Sequence, residues 1–155
     1  MKKVFLFMLL TALTLSASAQ TTVDNLFANY KSQARAEYVY IPKTMIKMGR
    51  LIDKDAKDYT KNIDTIKVLD LEDTSADVKR RFQADARKLQ TNGYDELIQA
   101  TEDGAKVLIL TKGKKDAITE LIIVVTGMDD CALIQLKGKI RQRDIEKIVR
   151  DQLDD

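Results

Sequence analysis

The chain has 155 residues, 45% of them apolar and 32% charged, with one Pro and six Gly, a composition that fits one compact domain and excludes collagen-like, low-complexity and wholly disordered chains. It contains no His, no Trp and a single Cys, Cys131, which removes Ser-His and Cys-His nucleophile pairs, His-ligated metals and an imidazole pH switch. An intramolecular disulfide and a multi-cysteine zinc or iron–sulfur site are excluded with them.

In chain order, Lys2 and Lys3 form a positive n-region, Val4 to Leu15 an apolar run and Ala17-Ser18-Ala19 a small-residue cleavage site. Together they predict a signal peptide over 1–19 and maturation before Gln20, leaving residues 20–155 as one domain. The apolar run is about 12 residues against the ~20 that span a bilayer, so no transmembrane anchor is expected after cleavage. No Cys lies near the cleavage site to carry a lipid. Cleavage takes away two of the 26 basic residues and none of the 24 acidic ones, which leaves 24 of each and a net charge of zero. A neutral domain has no global field to gather nucleic acid, and no nucleic-acid partner is expected.

Val23, Leu26, Phe27 and Tyr30 recur at the spacing of one helical face, with Thr21 and Asp24 as a capping pair. Tyr38 to Ile41 is β-branched and aromatic and ends at Pro42, which cannot continue a ladder. Met45, Met48 and Ile52 mark a second helix, Asp53 to Lys61 a polar loop, and Ile63 to Leu71 a strand with apolar residues on both faces. Thr74 and Asp77 form another capping pair, opening a helix through Val78, Phe82, Ala86 and Leu89 that stops at Asn92-Gly93. Four strands follow at Tyr94 to Ala100, Val107 to Thr111, Ile118 to Thr126 and Ala132 to Lys137. The connectors between them carry turn chemistry and are too short for crossover helices, so the strands form an antiparallel meander. Leu121 to Val125, apolar at every position, predicts a central strand buried on both faces, with Phe82, Leu121, Ile123 and Val125 in the core. Ile140, Ile145, Ile148, Val149 and Leu153 describe a closing helix. The predicted class is α+β, a meander-rich antiparallel sheet with amphipathic helices packed on it.

Tyr40-Ile41-Pro42 before a Met-containing helix, Ile66-Lys67-Val68-Leu69, Tyr94-Asp95-Glu96-Leu97, Thr119 to Val124, and Leu136 to Ile140 before a closing helix resemble the domain of unknown function 4252 family. The resemblance runs from about Phe27 to Leu153 and rests on the order and spacing of these segments. It implies a small exported protein of Gram-negative bacteria and carries no catalytic or binding residues.

The residues themselves offer few sites. Asp53, Asp55, Asp58 and Asp64 echo a calcium loop, but Asp58 stands where Gly is needed and Lys57 where an acceptor is needed, so a solvated loop is expected and no metal. Glu102-Asp103 and Asp129-Asp130 are carboxylate pairs in turns, without the aromatic platforms of a carbohydrate cleft. Cys131 follows two Asp, whose charge opposes a thiolate. Lys112-Gly113-Lys114-Lys115 and Lys137-Gly138-Lys139 lack the spacing of a phosphate loop. The remaining candidate is an anion or partner patch of Lys112, Lys114, Lys115, Lys139, Arg141 and Arg143, which needs a hairpin tip and a helix start to meet in space.

These features point to an exported, periplasmic or secreted, non-enzymatic domain that binds a protein or envelope component, with no catalytic residues and no cofactor. The alternative is a small-ligand carrier or His-independent hydrolase whose site assembles only in three dimensions. The intact mass of the exported protein is expected to correspond to a chain beginning at Gln20; a membrane-embedded species retaining Met1 contradicts the leader.

Overall fold

The computed structural model describes residues 20–52 and 60–146. Helix α1 (Val23–Tyr30) starts at Thr22, whose hydroxyl accepts from the Asn25 N–H at 3.1 Å. The cap lies one residue beyond the expected Thr21, because the Thr21 backbone is engaged elsewhere: its N–H donates to Lys88 O and its carbonyl accepts from Gln90 N. Strand β1 (Glu37–Pro42), helix α2 (Lys43–Ile52), strand β2 (Ile63–Asp70) and helix α3 (Ala76–Arg87) follow. Ser75, not Thr74, caps α3 by accepting from Val78 N. The Thr74 hydroxyl instead donates to Leu71 O at 2.6 Å, which ties the helix entry to the end of β2. Helix α3 also ends earlier than Asn92-Gly93, since Leu89 leaves the helix to pair with Thr21 in a parallel bridge.

The meander β3 (Asp95–Glu102), β4 (Ala105–Lys114), β5 (Ala117–Thr126) and β6 (Cys131–Ile140) is present, each strand longer than its apolar run. All six strands join one antiparallel sheet in the order β1-β2-β6-β5-β4-β3. The order follows from α3, which carries the chain from β2 to the far edge, so that β6 returns to close against β2. Both edges carry devices that discourage further pairing. Pro42 ends β1, and the register of β3 breaks between Glu96 and Ile98. A helical turn at 142–146 follows β6; Ile148, Val149 and Leu153 of the expected closing helix lie outside the described residues, as does most of the Asp53–Lys61 loop.

Helices α1 and α3 cover one face. Leu26, Phe27, Tyr30, Val78 and Phe82 from the helices pack on Leu69, Leu110, Ile122, Val124 and Leu133 from the sheet, all buried. Phe82 has no exposed surface and meets the Tyr30 ring edge-on at 5.2 Å. The Tyr30 hydroxyl donates to Asp85 at 2.6 Å, so the ring's polar tip is satisfied at the core's rim.

Two expected core residues are corrected. Leu121 is buried, but Ile123 and Val125 are only half-buried, because the second face of β5 is incompletely covered. The helix marked by Met45, Met48 and Ile52 is present as α2, but these three side chains are all exposed and the residue that α2 buries is Ile46.

Phe82→Ala is expected to cost about 3 to 5 kcal/mol in denaturant melts, since a fully buried ring is removed from a packed site. A loss below ~1 kcal/mol is incompatible with that packing.

Candidate functional site

The second face of the sheet is apolar almost from edge to edge. Strand register sets Leu121, Ile123 and Val125 of β5 opposite Leu136, Ile134 and Ala132 of β6, and opposite Thr111, Ile109 and Val107 of β4. Ile66 and Val68 of β2 and Ile41 and Val39 of β1 extend the plane. Helix α2, through Ile46, and the turn at 142–146, through Ile145, close over Ile63, Ile118, Leu121 and Ile140. The other half of the face, over Val39, Val68, Ile134, Ile123 and Val125, is half-buried or exposed among the described residues. Beside it α2 turns apolar side chains outward: Met45 is 57% exposed, Met48 66%, Leu51 85% and Ile52 89%. Single exposed apolar residues are ordinary, but a helix flank and half a sheet face together form a contiguous surface of the kind that marks an interaction site.

The ends of the sheet carry opposite charge. At the open end lie the β3–β4 turn with Asp103, the β5–β6 turn with Asp129 and Asp130, and the end of β2 with Asp70 and Glu72. Asp70, Glu72, Asp103 and Asp130 line one cleft of about 380 Å³ whose floor includes Ala105, Val107, Val125 and Ala132. The two acidic turns therefore converge at one end of the sheet. Glu37 and Asp70 stand directly opposite across β1 and β2, a like-charge pair that costs stability unless something outside compensates it.

At the covered end, the pairing of Ile118 with Ile140 brings the β4–β5 hairpin beside the exit from β6. Asp116, Arg141, Gln142 and Arg143 line a shared cleft of about 320 Å³ there, with Lys114 and Lys115 just before Asp116 at the hairpin tip and Lys139 just before Arg141. The six candidate basic residues are not equivalent. Arg141 is gripped by Asp144 through two bonds of 2.8 and 2.9 Å, which hold its guanidinium pKa above the usual value. Lys112 turns to the helical face, its Nζ 5.3 Å from the centre of the Tyr94 ring.

The other sequence motifs settle into structural roles. The Cys131 side chain is 2% exposed, and burial pushes its thiol up to about 11, against the opposing pull of Lys79. Such a thiol carries little thiolate at neutral pH. Lys79 itself is buried, with Nζ donating to Met128 O at 2.8 Å. Asp64 is paired with Lys43 at 2.8 Å; Asp53, Asp55 and Asp58 lie outside the described residues, among which no group of three or more metal-ligating side chains converges. Gly113 adopts φ +111° at the register break of β4, and a Cβ there would meet Ala117 O at 2.5 Å. Gly138 lies so near Asn62 O that a Cβ would collide with it. Both lysine–glycine segments are thus strand positions that demand Gly sterically, and neither leads into a phosphate-binding turn.

One buried polar cluster is invisible in the sequence because its members are far apart. The Tyr94 hydroxyl donates to Glu120 Oε1 at 3.0 Å and Gln135 Nε2 donates to the same oxygen at 2.7 Å. Gln135 is 2% exposed, and its Oε1 has no hydrogen-bond partner among the described residues. Register alone places Gln135 opposite Ile122, two residues along β5 from Glu120 and on the same face. A groove of about 470 Å³ also runs between α3 and the β3–β4 hairpin, over Ala86, Leu89, Leu108 and Val124, but its charged groups, Arg87 and Lys106, are exposed at the rim.

Burial, reinforced by Glu120, raises Tyr94 to about 12; burial, with a hydrogen bond to Asp85, also raises Tyr30. An acid raised by folding ionises first in the unfolded chain, so its stability contribution is intact below the unfolded pKa and disappears as pH climbs towards the folded one. With ordinary values of 9.0 for Cys131 and 10.0 for Tyr94, stability is expected to fall progressively from about pH 9 to pH 12. In denaturant melts across that window, Tyr94→Phe should flatten the decline above pH 10 even though it loses a hydrogen bond worth about 1 kcal/mol at neutrality; an unchanged slope contradicts the assignment.

No curated protein and no solved structure matches the chain. Residues 30–148, which span β1 to β6 and the turn that follows, match the family model described as a domain of unknown function, DUF4252. The chain therefore belongs to the DUF4252 family.

Proposed function

We infer that the protein is an exported, periplasmic, non-enzymatic interaction domain that docks a protein partner through the open half of its apolar sheet face and the outward flank of α2. One observation carries this reading. Met45, Met48, Leu51 and Ile52 project from a helix that already buries Ile46, beside half-buried Val68, Ile123, Val125 and Ile134. A helix with apolar side chains on both sides is stable in water only with a cover on the second side. Export is supported by the leader pattern of Lys2, Lys3, Val4 to Leu15 and Ala17-Ser18-Ala19.

Binding is favoured over catalysis by the chemistry available. The chain has no imidazole, its thiol is buried and held as the neutral form, and the groove beside α3 offers exposed cations in place of buried convergent polar groups. That groove suits a carrier poorly, since small-ligand sites enclose most of the ligand and fix it with a few placed polar groups.

A photo-crosslinking residue placed at Leu51 is expected to give a discrete protein adduct in intact cells on illumination, whereas the same residue at the exposed Asn29 on α1 should give none. Equal behaviour at both positions removes the reading.

A further inference from the structure

We propose that the partner on this face is a second copy of the chain, joined face to face and end over end about a two-fold axis lying in the plane of the face and perpendicular to the strands. This inference rests on the reading of the apolar face as a docking surface and names what occupies it. Three features of the same surface carry it.

The first is shape. Among the described residues, one half of the face is filled by α2 and the turn at 142–146, and the other half is open. An isologous interface sets the same patch of each protomer against the other, so that a projection at one end must meet a recess at the other end. The stated axis lays each α2, with Met48, Leu51 and Ile52 outward, against the open half over Val39 and Val68 of its mate. It also leaves α2 and its symmetry mate side by side, so that neither collides with the helix opposite.

Charge is the second. The open end of the sheet carries Glu37, Asp70, Glu72, Asp73, Asp103, Asp129 and Asp130 against Arg35; the covered end carries Lys114, Lys115, Lys139 and Arg143 beside the Asp144-bound Arg141, against Asp116. The same axis places the basic end of each copy over the acidic end of the other, twice per dimer. An axis along the strands would oppose acid to acid and base to base, and is disfavoured for that reason. The cross-strand Glu37–Asp70 pair, unfavourable within one chain, gains its compensating charge from outside.

Extent is the third. Six strands at ~4.8 Å spacing make the face roughly 29 Å wide, and an open half of about four residues covers on the order of 400 Å² before the flank of α2 is added. Two copies then bury roughly 1,000 Å² or more, at the threshold for a specific interface.

The test uses the exported protein in sedimentation velocity over a concentration series at low and high salt. Wild type is expected to form dimers whose dissociation constant rises about tenfold or more at high salt. Met48→Asp with Leu51→Asp should leave a monomer with an unchanged melting temperature, since both positions are exposed. Asp103→Lys with Asp130→Lys, and separately Lys114→Glu with Lys115→Glu, should each weaken self-association, and an equimolar mixture of these two charge-reversed proteins should restore dimers. Complementation distinguishes contact between opposite ends of the two copies from any effect of the substitutions on folding. A dimer indifferent to both reversals overturns the proposed axis. A monomer at every concentration that still binds a hydrophobic dye, with binding lost in Met48→Asp/Leu51→Asp, overturns self-association while leaving the docking face standing. A monomer that binds no dye removes both.

Discussion

A β-strand presents alternate side chains to opposite faces, and this chain makes both faces of a six-stranded sheet apolar while, among the described residues, full helical cover lies on only one. The rest of the molecule follows from that mismatch. Helices α1 and α3 are long enough to close Leu69, Leu110, Ile122, Val124 and Leu133 into a dry layer. On the other face Ile46 and Ile145 complete a smaller buried cluster with Ile63, Ile109, Ile118, Leu121 and Ile140, with Ile123 and Leu136 only partly buried at its margin. Ile123 and Val125 are left half-covered because nothing described lies above them, although their own strand is as central as any in the sheet.

Much of the architecture was legible from local pattern, and the failures have physical causes. The run from Leu121 to Val125 identified a central strand, and the turn chemistry of the connectors identified a meander, because short connectors admit only antiparallel pairing. Helix caps were misplaced by one residue at both α1 and α3. In each case the expected threonine was diverted to a backbone contact, Thr21 with Lys88 and Gln90, Thr74 with Leu71, and the next hydroxyl took the capping role. Such competition is tertiary and leaves no trace in a capping motif. Helix α2 was legible from Met45, Met48 and Ile52, but which of its sides packs inward was not: periodicity cannot tell a face packed on its own sheet, as at Ile46, from one turned outward.

The candidate site was legible only in pieces. Each acidic turn and each basic segment could be seen, but their meeting depends on register, as in the pairing of Ile118 with Ile140 that sets the β4–β5 hairpin beside Arg141. The Tyr94–Glu120–Gln135 cluster was hidden more completely, since its three residues come from the approach to β3 and from two strands. Strand alternation fixes that Glu120 and Gln135 share the helical face once β5 and β6 are paired; before pairing, each reads as an ordinary polar residue in an apolar strand.

One signal in the sequence did contain the charged ends of the sheet. Along the last third of the chain the connectors alternate in sign: Glu102-Asp103, then Lys112 to Lys115, then Asp129-Asp130, then Lys139 to Arg143. A meander reverses direction at every turn, so alternate connectors fall at the same end, and a sequence whose connectors alternate in charge must fold into a sheet with one acidic and one basic end. The net charge of residues 20–155 is zero, so this polarity is absent from any composition measure. An end-to-end separation of this kind contributes nothing to the stability of one isolated sheet, and at Glu37 and Asp70 it works against it. Its physical consequence lies in how the molecule meets other surfaces. It favours an orientation in which opposite ends overlap, and the apolar face between the ends supplies the area that such an orientation can bury.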